Sequence, residues 1–255
     1  MLKYIDHTKM GRSRLGWLDS HFHFSFAEYY NPENIRFGVL RVINDDIIQA
    51  RTGFDTHPHQ DMEIITYVVQ GEVSHADSMG NEHTLSRGQV QYMSAGTGVF
   101  HSEHNRQDKD DLRLMQIWIL PDKRRYKPNY GDYRFPLEDR NDQWLPIATG
   151  YDNQKNDAPI KIHQDINFYA TILSPGKSAE FKVGADRQAY LVCLEGEADV
   201  NGVHLSARDA LEIVKEDVTV ATSGGCHVFV IEMAYDDECY KRFNLESKLK
   251  NAPIW

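Results

Sequence analysis

Cysteine is scarce. Cys193, Cys226 and Cys239 are the only three in 255 residues. Odd in number and far apart, they supply neither a disulfide framework nor a Cys-x-x-Cys metal clip. Cys193 and Cys226 lie in apolar, strand-like runs and read as small buried side chains. Long apolar runs are missing as well: none approaches the ~20 residues that cross a bilayer. The opening Met1-Leu2-Lys3-Tyr4-Ile5-Asp6-His7 has no apolar core of a secretory signal. A cytoplasmic protein without membrane association is expected. Positive charge is in deficit, with 28 basic against 38 acidic residues and a formal net charge of -10. Nucleic-acid phosphates repel such a chain unless it carries a local basic patch. The best patch, Lys123-Arg124-Arg125, is short, so direct nucleic-acid binding is not expected. Helical periodicity is rare too. The one candidate helix runs from Asp237 to Asn251, with Phe243, Leu245 and Leu249 as apolar contacts and Pro253 beyond its end.

What the chain does have is short strands. Phe37–Ile43, Glu63–Val69, Leu114–Leu120 and Val228–Met233 are rich in β-branched and aromatic residues and are bounded by Gly, Asn, Asp or Pro. Short, regularly spaced strands predict a sandwich, barrel or jelly roll. A weak internal repeat adds that there are two copies. Tyr67-Val68-Val69-Gln70-Gly71-Glu72 resembles Tyr190-Leu191-Val192-Cys193-Leu194-Glu195-Gly196-Glu197. Each is followed by a Gly turn (Gly80, Gly202) and a Leu-Ser pair (Leu85-Ser86, Leu205-Ser206). The join is expected in the polar, loop-like stretch from Pro121 to Pro159, anchored by Tyr126, Tyr130, Tyr133 and Trp144. This gives two all-β domains, 1–135 and 136–255.

The chemistry-bearing signal is in the first copy. Residues two apart on a strand share a face, so His57 and His59 project together from Gly53-Phe54-Asp55-Thr56-His57-Pro58-His59. Pro58 holds this backbone extended and places it at an edge or bulge. A second doublet, His101-Ser102-Glu103, follows the Gly-rich Ala95-Gly96-Thr97-Gly98-Val99-Phe100. Two such doublets on facing strands would converge three imidazoles and a carboxylate. That set suits a first-row divalent ion and, lacking thiolate, does not select zinc. His21-Phe22-His23 has the same spacing, but its alternating aromatics and lack of a second ligand pair favour a packing role. His7, His75, His83, His104, His163, His204 and His227 stand outside any doublet and read as exposed or hydrogen-bonded histidines.

These residues resemble known motifs. His57-Pro58-His59-Gln60-Asp61-Met62-Glu63 through Gly71 resembles the first cupin motif, and Gly98-Val99-Phe100-His101 through Asn105 the second. The fuller resemblance is to pirins. It rests on Phe37-Gly38-x-Leu40-Arg41-Val42-Ile43-Asn44-Asp45-Asp46, His57-Pro58-His59, Asp77-Ser78-x-Gly80-Asn81, Gln91-x-Met93-x-Ala95-Gly96-x-Gly98 and His101-Ser102-Glu103. The second half matches mainly through Lys161-Ile162-His163-Gln164-Asp165. The resemblance implies a bicupin: two jelly-roll barrels packed together, with little helix. It also implies one divalent ion on His57, His59, His101 and Glu103, Fe(II) first, with Mn, Ni, Co, Cu or Zn compatible. Glu63 competes with Glu103 for the carboxylate position. The pirin pattern favours Glu103 and leaves Glu63 either to orient a ligand imidazole or to serve as a salt-bridged strand residue. In the second domain, counting from Gly196 puts Lys182 and Gly184 where His57 and His59 stand, and its second motif region offers only His227. That domain is therefore expected to lack a metal site.

Two functions follow from the resemblance. One is a quercetinase-like dioxygenase, which opens the heterocycle of a flavonol or another enolisable aromatic with O2 and releases CO. Glu103 would be its base, and Phe54, Met62, Met93 and Phe100 would line its apolar wall or, residue by residue, serve as plain barrel core. The other is a metal-containing regulator that binds a protein partner, either a transcription factor or a metabolic enzyme. A monomer is expected.

Overall fold

The computed structural model describes residues 1–153 and 156–235. The expected C-terminal helix and Cys239 lie outside these residues. Among the described residues, helix is limited to two short 3-10 turns, His7–Lys9 and Leu137–Arg140. The rest is strand, turn and loop, and the chain divides into two compact units.

One unit comprises Gly11–Phe135 and Ile162–Gln164. Its larger sheet runs in the order Asn129–Tyr133, Val90–Ser94, Glu63–Gln70, Leu112–Ile119, Leu40–Ile48, Leu18–Phe22, Gly11–Arg14. Its four-stranded sheet runs Thr52–His59, Val99–Asn105, Glu72–Asp77, Glu82–Ser86. Pro58 thus sits on an edge strand, where its missing donor costs nothing in the ladder.

The other unit comprises Met1–Met10, Pro136–Lys161 and Asp165–Tyr235. Its main sheet repeats the order: Ala210–Val214, Arg187–Val200, Cys226–Ala234, Ile166–Leu173, Leu145–Gly150. Ser178–Phe181, Val218–Ala221, the far half of Arg187–Val200 and Val203–Ser206 form its second sheet. The repeat read from sequence is therefore one topology used twice. Gly71 and Gly196 make the same corner with φ of 76° and 74°, a conformation that favours glycine. After each, a Leu-Ser pair lies opposite: Glu72 faces Ser86, and Glu197 faces Ser206.

Two expectations change. The first ten residues group with the second unit, because Leu2–Ile5 pairs with Ala210–Val214. The Pro121–Pro159 stretch is not all loop. Within it Asn129–Tyr133 extends the first unit's sheet beside Val90–Ser94, and Leu145–Gly150 pairs with Ile166–Leu173. Two of the expected anchors pack within their own units. Trp144 donates to the Glu180 carbonyl at 2.8 Å and packs on Phe181. Tyr130 stacks on His75 at 4.4 Å.

Candidate metal centre

The interior of the first unit is layered, and the register fixes the layers. In the larger sheet Met93, Ile64, Trp118 and Val42 form one rung, and Gln91, Thr66, Gln116 and Asn44 form the next. Strand alternation sends these to the same face. An apolar cluster of Met62, Ile64, Met93, Ala95, Val99 and Leu120 lies to one side of the polar rung. A second, with Val68, Val73, Leu85, Leu112 and Leu114, lies to the other.

The opposite sheet supplies the histidines. His101 pairs with His57 across the strands, but Glu103 pairs with Phe54, because the ladder slips by one residue between them. The extra residue falls at the exposed Asp55 and Thr56. Such a bulge resets side-chain parity, so Phe54 and the His57–His59 pair both face inward. Phe54 lies edge-on to Trp17 at 5.2 Å and to His57 at 6.4 Å. One ligand atom from each of His57, His59 and His101 falls within a mutual 4.8 Å. Their ring centroids are 4.5–4.8 Å apart.

This trio has the chemistry of a cation site. His57 Nδ1 lies 2.7 Å from the Asp55 carbonyl, an obligate acceptor, so Nδ1 carries the proton and Nε2 the lone pair. That Nε2 faces His101 Nε2 at 3.1 Å. The Nδ1 atoms of His59 and His101 are buried without a hydrogen-bond partner. Burial, with repulsion from the neighbouring imidazoles, pushes His59 and His101 down to about 3. Their rings stay neutral, and neutral imidazole is the ligating form.

Glu103 is held differently. It is buried, and its Oε1 accepts from Gln91 Nε2 at 2.6 Å and from the Thr66 hydroxyl at 2.9 Å. Its Oε2 accepts from Gln116 Nε2 at 2.6 Å. Tyr130 donates to Gln91 Oε1 at 3.3 Å and so helps fix that amide. An unpaired carboxylate in such a place would cost several kcal/mol; the amide cradle offsets this. Glu103 groups with His101 and with His75, whose ligand atoms also fall within a mutual 4.8 Å. His75 sits directly across the strands from Glu103. It carries no doublet with another histidine, so spacing alone passed it over. Its readable signal is the His75-x-Asp77 pair.

Other expectations are corrected here. Glu63 cannot orient a ligand imidazole. Ile64 and Thr66 face the interior, so Glu63 faces out, where it accepts from Ser94 Oγ at 2.6 Å and from the His163 backbone N–H at 3.1 Å. Parity carried from His59 is lost in the turn at Asp61, whose φ is 51°. Phe100 is no wall residue: it alternates with His101, points outward and is 54% exposed. Met62 and Met93 do line the interior, and Trp118, unmarked in the sequence, lies edge-on to His59 at 4.8 Å. His21 and His23 are buried and fall in no metal-capable group among the described residues. Asp6, His7 and Asp209 form one further group. There Asp209 already accepts from Tyr4 Oη at 2.8 Å and from the backbone of His7 and Ser206.

The second unit shows what the same rungs look like without a site. By register from Gly196, Thr66, Gln91 and Gln116 correspond to Leu191, Leu211 and Val230. His75, His101 and Glu103 correspond to Val200, Val218 and Val220. His57 and His59 correspond to Phe181 and Val183, not to Lys182 and Gly184, which lie one residue along and are exposed. His227 lies on the Cys226–Ala234 strand, away from these positions, with its Nδ1 3.0 Å from a Glu195 carboxylate oxygen. All eight replacements belong to one apolar cluster.

Two like-ordered barrels, one apolar at the positions that answer the site and one carrying a histidine cluster around a caged carboxylate, define a two-domain cupin with a metal-capable first barrel. The comparisons name the family. The Pirin family model matches residues 6–119, and the model for the quercetinase C-terminal cupin domain matches 152–233. The chain is 42% identical over 209 residues to quercetin 2,3-dioxygenase of Escherichia coli, covering 82% of this chain and 88% of that one. It is 42% identical over 215 residues to a pirin-like protein of Caulobacter vibrioides, covering 84% and 91%. The crystal structure of the bacterial pirin YhhW of Escherichia coli in complex with nickel(II) superposes with a TM-score of 0.84 at 36% identity, covering 92% and 99%. The chain belongs to the pirin family.

Proposed function

We propose that the protein is a metal-dependent dioxygenase that opens the heterocycle of a flavonol such as quercetin with O2 and releases CO. His57, His59, His101 and Glu103 are its metal ligands, and the ion is divalent, Fe(II) first. The observation that carries this is the convergence of His57, His59 and His101, the last two kept neutral by burial, beside the caged carboxylate of Glu103. The likeness to a relative named quercetin 2,3-dioxygenase supplies the substrate class.

A bound divalent ion supplies Lewis acidity, which lowers the pKa of the substrate's 3-hydroxyl. The chain's own residues do the rest. Glu103 takes the hydroxyl proton as general base. Gln91 and Gln116 hold its oxygens at 2.6 Å beforehand, so no solvent reorganises as charge moves. A side-chain amide carries both donor and acceptor, so Gln116 can turn its carbonyl to the protonated acid. Met62, Ile64, Met93 and Val99, with Trp118 beside His59, keep water from the reacting ring.

The test is turnover. Protein reconstituted anaerobically with Fe(II) and mixed with quercetin in air-saturated buffer should lose flavonol absorbance and release CO. His101→Ala should fall to the rate of free metal. Wild-type protein no faster than free metal would overturn the assignment and favour a non-catalytic role with a protein partner.

A further inference from the structure

His75 is buried, faces the interior, and has no part in the four-residue set just described. Its Nε2 lies 3.2 Å from Asp77 Oδ2. Asp77 is itself fixed: its carboxylate accepts from the Met79 and Asn81 backbone and from Asn81 Nδ2 at 2.9–3.1 Å. With N–H donors filling this carboxylate, Asp77 serves as an acceptor toward His75, so Nε2 carries the proton and Nδ1 the lone pair. That Nδ1 is buried and has no hydrogen-bond partner. A carboxylate on one nitrogen and a free lone pair on the other is the arrangement of metal-ligating histidines. Tyr130, stacked at 4.4 Å and 14°, holds the ring plane.

The free lone pair has company. His101 presents Nε2 to His57, while its Nδ1 is buried without a hydrogen-bond partner. Glu103 lies directly across the strands from His75. We propose that His75, His101 and Glu103 form a second, inner cation position that shares His101 and Glu103 with the outer one. Two imidazoles and a carboxylate suit Zn(II), Co(II), Ni(II) or Cu(II). With the outer ion on His101 Nε2, an inner ion bonds to Nδ1 in place of that atom's proton, which passes to water. Occupancy ties the Glu103 carboxylate between two cations and removes it as a base, so excess metal inhibits. The second unit supports the reading: the three residues are replaced there together, by Val200, Val218 and Val220.

This inference shares residues with the proposed function but can fail separately. Metal-free protein is titrated with Co(II), following bound metal, the Co(II) absorption spectrum and proton release. Wild type should bind two equivalents per chain, the second releasing one more proton than the first. His75→Gln should bind one, with the second affinity reduced at least about tenfold, and should escape inhibition by excess Co(II). His57→Ala weakens the outer position by a similar factor and keeps His75 in place, which guards against a folding defect in His75→Gln. A single equivalent in wild type, as for a water molecule alone on His75, overturns the inner position whatever the flavonol assay gives. So does a second equivalent that survives His75→Gln at unchanged affinity. Two equivalents without flavonol turnover would leave the inner position standing and remove the proposed reaction.

Discussion

Replacing Gln116 by Leu tests whether the amide cradle holds Glu103 as a charge. The substitution keeps most of the side-chain volume but removes the donor 2.6 Å from Oε2. A hydrogen bond to a charged group contributes about 1.5–3 kcal/mol, and a buried acceptor left unpaired costs a similar amount. Taking about 2 kcal/mol, and about 3–4 °C per kcal/mol for a unit of this size, the metal-free protein should melt about 6–8 °C lower. The partner change, Glu103→Leu, strands the same donor from the other side. The double variant places apolar side chains where the second unit has Val220 and Val230. It should therefore lose about 2 kcal/mol less than the two single changes summed. Circular dichroism melts and urea titrations of the four proteins at pH 7 give the cycle. Additivity within about 0.5 kcal/mol, or a single-variant loss below about 2 °C, would refute the claim that Gln116 stabilises a buried carboxylate.

Other expectations follow from the same interior. His59 and His101 fall to about 3 in the folded state from an ordinary 6.5, so the unfolded chain takes up protons first as pH drops. Their contribution is complete above about pH 6.5 and lost toward pH 3, a decline of roughly 1 kcal/mol per pH unit for each ring, read by urea midpoints of the metal-free protein. Asp46 runs the other way. Burial, opposed by the Ser20 hydrogen bond, raises it to about 7, so it lowers stability progressively from pH 4 to pH 7. Asp46→Asn should raise the melting temperature at pH 8 and change it little at pH 4; equal shifts at both would contradict this. Gly53→Ala would place a Cβ 2.4 Å from the Glu103 carbonyl oxygen and 2.5 Å from His104 Cα. It should cost about 1–3 kcal/mol and weaken Co(II) binding at the site without abolishing folding.

Much of this was legible in the sequence because alternation is local. The doublets His57-x-His59 and His101-x-Glu103 announce which side chains share a face. The Tyr-to-Leu-Ser repeat announces a barrel used twice. What was hidden depends on pairing between distant strands. Gln91, Thr66 and Gln116 sit singly in apolar runs, and only the register brings them around one carboxylate. His75 meets Glu103 only through the pairing of two strands. The Lys182–Gly184 and Glu63 assignments failed for a common reason: each carried a count or a parity across a turn, where one extra residue exchanges inside for outside.

The strand Leu2–Ile5 carries a consequence for synthesis. It is made well before its partner, Ala210–Val214, which is among the last of the described strands to appear. The first barrel has all its own strands once Phe135 has been made, and it can close while the chain is still growing. The second must wait, its opening strand held in reserve as an unpaired edge. Deleting Leu2–Ile5 should therefore disturb the second barrel and leave the histidine-bearing one intact.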